Sequence, residues 1–458
     1  MTSGGALLIE GGLVIDPSQR LESQRDVLIQ DGKIREIAPR LSKRLGVARA
    51  EPSPLNRDKR GSVCRDLGPL RRIDARGCWV VPGLIDMHVH LREPGREEDE
   101  TILTGTRAAA AGGVCTVLAM PNTLPPTDTA SRLLAARRIA RRDAAVHVLF
   151  AGALTLGQRG ERLADLKALH AAGAAAISDD GRPVMNSELM RRALLFSRAS
   201  GLPVLDHAED DHLAAGGVIH EGRLSKRLGL PGIPSASETL MALRDVSLAA
   251  LTGGRLHLCH VSCARTVDLV RRAKRSGIAL TAEAAPHHFT LTEDDLPRGA
   301  RCADFKMNPP LRSREDSDAL LEGLQDGTLD AVASDHAPHA PEKKARGPLK
   351  APFGIIGLET LLPLSLALVA KGILTRVSFV ERLCAAPAGI LGLASKGHLR
   401  RGADADVTVI DPLARGRVAL PFRSKSRNTP FLGKSLRGTA RATIVQGRVA
   451  FLREGGNP

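Results

Sequence analysis

From Trp79 onward the chain repeats one pattern: a short apolar run, a turn, and a stretch rich in Ala, Leu and Arg with helical periodicity. Many of the helical stretches end near glycine, as helices commonly do. Eight such units follow one another, and strands joined by outer helices close into a parallel barrel. The pattern therefore predicts a (β/α)8 TIM-type barrel, with strands at 79–88, 114–120, 145–151, 174–177, 203–206, 256–260, 279–282 and 329–333.

Short strand signals separated by turns lie before and after this repeat. They predict a small β-sandwich domain formed by the N- and C-terminal segments, 1–78 and 398–458, which brackets the barrel at 79–397. Residues 40–70 are polar and rich in Pro, Arg and Lys, so we expect a long surface loop there.

Composition narrows the function classes. A formal charge of +15 is compatible with nucleic-acid binding, but aromatic residues make up 2% of the chain and tyrosine is absent, so platforms for base stacking are scarce. We predict an arginine-rich solvated surface and no nucleic-acid partner. The longest apolar stretch, 355–370, is broken by Glu359 and Pro363, which predicts no membrane span. Seven scattered cysteines predict reduced thiols and a cytoplasmic protein.

Functional groups of a parallel barrel lie where the strands end. Five of the eight predicted strands end in histidine or aspartate: His88 and His90, Asp179 and Asp180, Asp206 and His207, His257 and His260, and Asp335 and His336. Residues two apart on a strand point the same way, so His88 and His90 can reach one ion.

Such a set of imidazoles and carboxylates suits a pair of Zn²⁺ ions with a bridging carboxylate. A hydroxide between the ions could attack an amide, with Asp335 as the general acid and base. Spacing leaves open whether Asp179 or Asp180 forms the bridge.

The order of several motifs resembles a known family. They are His88-Val89-His90-Leu91-Arg92-Glu93-Pro94-Gly95, Met120-Pro121-Asn122-Thr123, Ser178-Asp179-Asp180-Gly181, Asp206-His207-Ala208-Glu209-Asp210, His260-Val261-Ser262, Met307-Asn308-Pro309-Pro310-Leu311-Arg312 and Ser334-Asp335-His336-Ala337-Pro338-His339. The chain resembles class I dihydroorotases of the amidohydrolase superfamily over nearly its whole length, including Asn428-Thr429-Pro430-Phe431.

This resemblance implies zinc-dependent, reversible cyclisation of N-carbamoyl-L-aspartate to (S)-dihydroorotate in de novo pyrimidine biosynthesis, with two zinc ions per chain. The implied metal ligands are His88, His90, Asp180, His207, His260 and Asp335. The implied substrate-binding residues are Arg92, Asn122, Asn308, His339, Phe353 and Gly354, and the loop 340–354 resembles the family's mobile segment. A homodimer and a complex with aspartate carbamoyltransferase are the expected assemblies.

The sequence leaves two alternative functions open. Hydantoinases and allantoinases are related cyclic amidohydrolases, and many relatives bridge their metals with a carboxylated lysine on strand 4. Residues 174–181 contain no lysine, and Lys167 lies on the preceding helical stretch, which favours an aspartate bridge. The second alternative is a catalytically silent scaffold for aspartate carbamoyltransferase, but all six implied ligands are present.

Overall fold

The computed structural model describes residues 5–46, 56–57 and 70–453. Most of the predicted surface loop at 40–70 lies outside the described residues. The N-terminal part forms six strands and one short helix: β1 Leu7–Asp16, β2 Leu21–Gln30, β3 Lys33–Ala38, α1 Leu41–Arg44, β4 Asn56–Arg57, β5 Arg71–Asp74 and β6 Trp79–Pro82.

Eight parallel strands then form the barrel: β7 Leu84–Val89, β8 Val114–Ala119, β9 His147–Ala153, β10 Ala176–Ser178, β11 Val204–Asp206, β14 Leu256–Leu258, β15 Leu280–Ala284 and β16 Ala331–Val332. A two-stranded ladder, β12 Ile219–His220 with β13 Gly232–Ile233, lies in a connection. The barrel closes at its carboxyl-terminal rim, where Val89 and His336 form a parallel bridge and the His90 amide donates to the His336 carbonyl at 2.8 Å. The predicted (β/α)8 barrel is confirmed.

Helices follow the barrel strands and cover them: α2 Ile102–Ala111, α3 Ala130–Asp143, α4 Leu166–Ala171, α5 Ser187–Ser200, α6 Asp211–Ala214, α7 Arg223–Leu228, α8 Ser235–Thr252, α9 Ala264–Arg275, α10 Pro286–Thr290, α11 Arg314–Asp326, α12 Pro341–Lys344, α13 Gly347–Lys350, α14 Leu361–Ala370, α15 Arg376–Val380 and α16 Ala386–Ile390. Helix α5 is representative, because the Asn186 side chain accepts from two amides at its start and Leu189, Ala193 and Ser197 face inward at intervals of four. No helix among the described residues is long and apolar enough to span a membrane.

Strands from both ends of the chain form one further sheet, which is mostly antiparallel. Its C-terminal members are β17 Val407–Arg417, β18 Ser435–Val445 and β19 Arg448–Leu452, and its main path runs β19-β18-β17-β6-β1-β2-β3. The predicted small β unit built from both chain ends is therefore confirmed.

The predicted strand at 79–88 is wrong as a single strand. Residues 79–82 form β6 in the terminal sheet, and β7 in the barrel begins only after Gly83. A Cβ atom on Gly83 would lie 2.5 Å from Cys115 Sγ, so only glycine allows the chain to pass so close to β8. The domain boundaries at 78/79 and 397/398 stay a prediction, and β6 of the terminal sheet occupies the four residues that follow the first of them.

The terminal sheet packs on the barrel through aromatic and apolar side chains. The Trp79 ring on β6 meets the Phe379 ring of α15 edge to face, with centroids 6.0 Å apart, and Phe379 is fully buried. Trp79 also packs against the large cluster of buried residues that includes the barrel strands and helices. Apolar contacts therefore join the two parts of the fold.

We expect Phe379→Ala to lower the free energy of unfolding by about 3–5 kcal/mol, because it removes a large buried ring and leaves a cavity. Leu413→Ala is the control, since Leu413 is 63% exposed, and its effect should stay within about 0.5 kcal/mol. Denaturant unfolding followed by circular dichroism measures both. Equal unfolding midpoints for the two variants would contradict this account of the contact.

Candidate active site

A cavity of about 210 Å³ opens at the carboxyl-terminal rim of the barrel. Strands β7, β8, β10, β11, β14 and β16 end around it, so residues far apart in the sequence meet there. Of the residues predicted from the sequence, those lining the cavity are His90, Arg92, Asn122, Asp180, His207, His260, Asn308, Asp335, His339, Phe353 and Gly354. His88 is fully buried beside them and contacts Asp180.

The six predicted ligands form one group, which we call the His/Asp cluster: His88, His90, Asp180, His207, His260 and Asp335. Asp180 lies at its centre. Its Oδ1 is 3.2 Å from His88 Nε2 and 3.5 Å from His260 Nε2. Its Oδ2 is 3.5 Å from His90 Nε2, so the two carboxylate oxygens face different imidazoles.

The choice between the two adjacent aspartates follows from their contacts. Asp179 turns away from the cavity, and its carboxylate accepts hydrogen bonds from the Leu154 amide at 2.7 Å and from the Thr155 amide and hydroxyl. Asp180 faces the imidazoles. The geometry therefore makes Asp180 the candidate bridging residue and gives Asp179 a structural role.

The His/Asp cluster has the chemistry of a metal centre. Ligand atoms of His88, Asp180 and His260 lie within 4.8 Å of one another, as do those of His88, His90 and Asp335. Tetrahedral ligands about 2.1 Å from an ion lie about 3.4 Å apart, close to the distances around Asp180. His88 Nε2 and Asp180 Oδ1 are buried, and although they lie 3.2 Å apart, neither makes a hydrogen bond in the described residues, which is costly unless a cation satisfies them. The residues thus fit a divalent cation with nitrogen and oxygen ligands.

Neighbouring groups orient the imidazoles. His88 Nδ1 lies 2.9 Å from Glu283 Oε1, which leaves Nε2 directed at Asp180. Burial alone would raise the pKa of Glu283, but the His257 and His88 imidazoles outweigh it and lower this pKa to about 2. His90 Nδ1 similarly contacts Asn122 Oδ1 at 2.9 Å.

Sequence reasoning missed Glu283, since the predicted strand 279–282 stopped one residue before it. The signal was present, because Glu283 is an acidic residue between Ala282 and Ala284 in a buried barrel strand. A second missed residue is Arg96, whose side chain also lines the cavity.

Asp335 is held as an anion. Its Oδ1 lies 3.3 Å from His90 Nε2 and 3.8 Å from His88 Nε2. Burial alone would raise the pKa of Asp335, but the hydrogen bond with His90 and the charges of His88 and His260 lower it below its ordinary value. The carboxylate is therefore ionised at neutral pH.

Arg92 also lines the cavity and is 5% exposed. Its Nε donates to the Pro338 carbonyl at 3.1 Å, and its Nη2 lies 3.2 Å from His339 Nε2. Burial, and then the charge of Arg96, lower the pKa of Arg92 to about 10, so the guanidinium stays charged at neutral pH. Burial and the charge of Arg92 lower the pKa of His339 to about 2, so its imidazole is neutral.

The predicted substrate-binding residues line the same cavity as this guanidinium. We call Arg92, Asn122, Asn308, His339, Phe353 and Gly354 the carboxylate pocket. Its cation is buried, and burial strengthens the attraction of a fixed guanidinium for a carboxylate. A ligand that reached both Arg92 and the His/Asp cluster would combine a negative group at one end with a reactive group at the other.

Comparison with known proteins agrees with this geometry. Residues 77–266 match the family model described as Dihydro-orotase-like. The chain is 49% identical to the dihydroorotase of Anaeromyxobacter sp. (strain K), over 97% of both chains. It is 48% identical to the dihydroorotase of Pelobacter propionicus (strain DSM 2379 / NBRC 103807 / OttBd1), over 98% of this chain and 100% of the relative.

Among solved structures, the L-hydantoinase (dihydropyrimidinase) of Arthrobacter aurescens superimposes with a TM-score of 0.80 at 26% identity. The match covers 97% of this chain and 95% of the hydantoinase. The similarity thus includes the barrel and the terminal sheet together.

The barrel and its rim of imidazoles and carboxylates define an enzyme of the cyclic amidohydrolase class, whose members depend on metal ions. Within that class the chain belongs to the dihydroorotase family. The family resemblance inferred from the motifs is confirmed.

We expect Asp180→Asn to reduce the amount of metal bound per chain, because a neutral amide is a poor ligand and cannot bridge two cations. Asp179→Asn is the matched control and should keep its metal, although losing hydrogen bonds to Thr155 should cost about 1–3 kcal/mol of stability. Elemental analysis after metal loading and desalting measures the difference. Loss of metal from the Asp179 variant alone would reverse the two roles.

Proposed function

We propose that this chain is a dihydroorotase that interconverts N-carbamoyl-L-aspartate and (S)-dihydroorotate in de novo pyrimidine biosynthesis. The observation that carries the proposal is a buried arginine in the same cavity as the His/Asp cluster. Dihydroorotate has a ring amide and a carboxylate, which are the two groups that such a cavity would bind at its two ends. The names of the curated relatives support the same activity.

We propose two zinc ions per chain, which His88, His90, Asp180, His207, His260 and Asp335 would hold. When bound, zinc would lower the pKa of water and polarise the amide carbonyl, which makes amide hydrolysis feasible near neutral pH. Three imidazoles and two carboxylates of the cluster line one cavity and His88 is buried beside them, and this placement supports the assignment.

The protein residues have separate tasks in this proposal. Arg92, with its planar guanidinium, pairs with the substrate carboxylate and holds the ring in one orientation. Asn122, Asn308, His339, Phe353 and Gly354 complete the carboxylate pocket. Asp335, which lies next to His90 and lines the cavity, takes a proton from water and passes it to the leaving ring nitrogen, and the reverse transfer accompanies ring closure.

Hydantoinases and allantoinases act on other cyclic amides, and they are the nearest alternative. Lys167 is exposed on α4, and no lysine is among the residues lining the cavity, so a lysine-based bridge has no support in the described residues. Arg92 favours a substrate with a carboxylate. A catalytically silent scaffold is disfavoured because the His/Asp cluster is complete.

We further propose that the enzyme is cytoplasmic, forms a homodimer and forms a complex with aspartate carbamoyltransferase. The six cysteines in the described residues are free and buried, which supports a reducing compartment. Helix α8 carries Leu240, Leu243 and Leu251, which are all about half exposed or more and give an apolar surface that a second chain could cover.

Parallel assays of the zinc-loaded protein on dihydroorotate, hydantoin, dihydrouracil and allantoin test the activity. We expect turnover of dihydroorotate and at least about a hundredfold lower kcat/KM for the uncharged rings, because they leave the buried Arg92 without an anion. Preference for an uncharged ring would refute the proposed substrate.

Arg92→Ala should raise the KM for dihydroorotate about 10- to 100-fold, since charge-assisted hydrogen bonds contribute about 1.5–3 kcal/mol, while the metal content stays unchanged. Arg182→Ala is the matched control, because Arg182 is exposed and is not among the cavity-lining residues. Steady-state kinetics in both directions measure the effect. Unchanged KM in the Arg92 variant would remove Arg92 from the substrate site.

A further inference from the structure

Asn428 lies in the connection between β17 and β18 of the terminal sheet, yet its side chain reaches the rim of the barrel. It is 3% exposed. Its Nδ2 donates to the Ala337 carbonyl at 3.1 Å and to the Gly354 carbonyl at 2.9 Å. Its Oδ1 accepts from the His339 amide at 3.2 Å, so one amide group makes three hydrogen bonds to the barrel backbone.

These partners lie where the two ends of one loop, 338–354, come together. The loop follows β16 and carries the last part of the carboxylate pocket, and we call the meeting point of its two ends the neck. At the neck the Ala337 amide donates to the Ile355 carbonyl at 2.7 Å. The Ile356 amide donates to the Asn428 carbonyl at 2.9 Å. Asn428 therefore ties the outgoing chain to the returning chain through both its side chain and its backbone.

The neck leads directly to Arg92. The Arg92 guanidinium rests on the Pro338 carbonyl and next to the His339 ring. His339 in turn contacts the Phe353 carbonyl through Nε2 at 2.7 Å. A shift of the His339 backbone would move the groups that orient this guanidinium.

The backbone at the neck is also closely packed. Gly354 has φ of +124°, and a Cβ atom there would lie 2.5 Å from Ala337 Cβ. Its carbonyl is shared, because the buried Lys344 Nζ donates to it at 3.0 Å in addition to Asn428. Two donors on one carbonyl hold this wall of the pocket in one position.

The segment that carries Asn428 is itself anchored to the loop after β7. The Ser426 hydroxyl donates to the Asp99 carbonyl at 2.6 Å, and the Lys425 amide donates to Glu100 at 3.1 Å. Hydrogen bonds to the loop after β7 therefore hold the segment that carries Asn428 in place.

We propose that Asn428 is a positioning residue of the carboxylate pocket, which holds His339 and Gly354 at the separation that Arg92 requires to bind the substrate carboxylate. The inference rests on the proposed dihydroorotase function. Asparagine suits the position because it offers two N–H donors and an acceptor on one planar group. Aspartate has the same shape but would turn two bonds to carbonyl oxygens into repulsive contacts.

The test compares wild type, Asn428→Asp and the smaller Asn428→Ser with Arg427→Gln, a control in the adjacent exposed residue. We expect both Asn428 variants to raise the KM for dihydroorotate and for carbamoyl aspartate about tenfold or more, with kcat changed less than about threefold and metal content unchanged. The Arg427 variant should behave as wild type.

Limited trypsin digestion supplies a readout that does not depend on activity. Arg346 and Lys350 are exposed in the 338–354 loop, and we expect faster cleavage after them in both Asn428 variants than in wild type or the Arg427 variant. Unchanged KM and unchanged cleavage in both Asn428 variants would overturn the inference, as would a loss of kcat at constant KM. A wild-type protein that turned over no dihydroorotate would instead refute the proposed function, and loop cleavage would still decide whether Asn428 holds the neck.

Discussion

The carboxylate of Asp180 is the group on which the site depends. One of its oxygens faces His88 and His260 and the other faces His90, so a single side chain joins the ends of three barrel strands. These strands are far apart in the chain and meet because parallel barrel strands all end at one rim. Burying so many polar groups together is unfavourable unless they share a cation, so the fold and the metal chemistry support each other.

The terminal sheet contributes to the active site as well as to stability. Its β6 strand continues into β7, and its β17–β18 connection returns to the rim, where Asn428 binds the neck of the 338–354 loop. Barrel loops therefore form one side of the carboxylate pocket, and Asn428 from the C-terminal part of the chain binds that side through hydrogen bonds. In the proposed function, substrate recognition and the packing of the two parts of the fold depend on the same hydrogen bonds.

Much of the architecture could be predicted because it depends on local patterns. Alternating apolar strands and amphipathic helices predict a barrel, and histidines two positions apart at the end of β7 predict a shared direction. The prediction was wrong at residues 79–88, where one continuous apolar pattern covers two strands that pair in different sheets. The apolar run from Trp79 to His88 reads as one strand, yet Gly83 divides it between two sheets because β8 lies too close for a side chain.

Local patterns also could not identify residues whose role depends on distant partners. Glu283 stands out as an acidic residue in an apolar strand, but its contact with His88 cannot be predicted from spacing, and neither can the contacts of Asn428 with residues about ninety positions earlier in the chain.

The sequence by itself determined the fold class, the family and the set of residues at the strand ends, because periodicity and motif order are properties of the chain. Only the tertiary structure decided which of two adjacent aspartates faces the imidazoles. Asp179 and Asp180 have the same chemistry, and their difference arises from Thr155 and the Leu154 amide, which hold Asp179 on the outer side. Identical side chains one position apart must diverge, and the direction each takes depends on partners brought near only by folding.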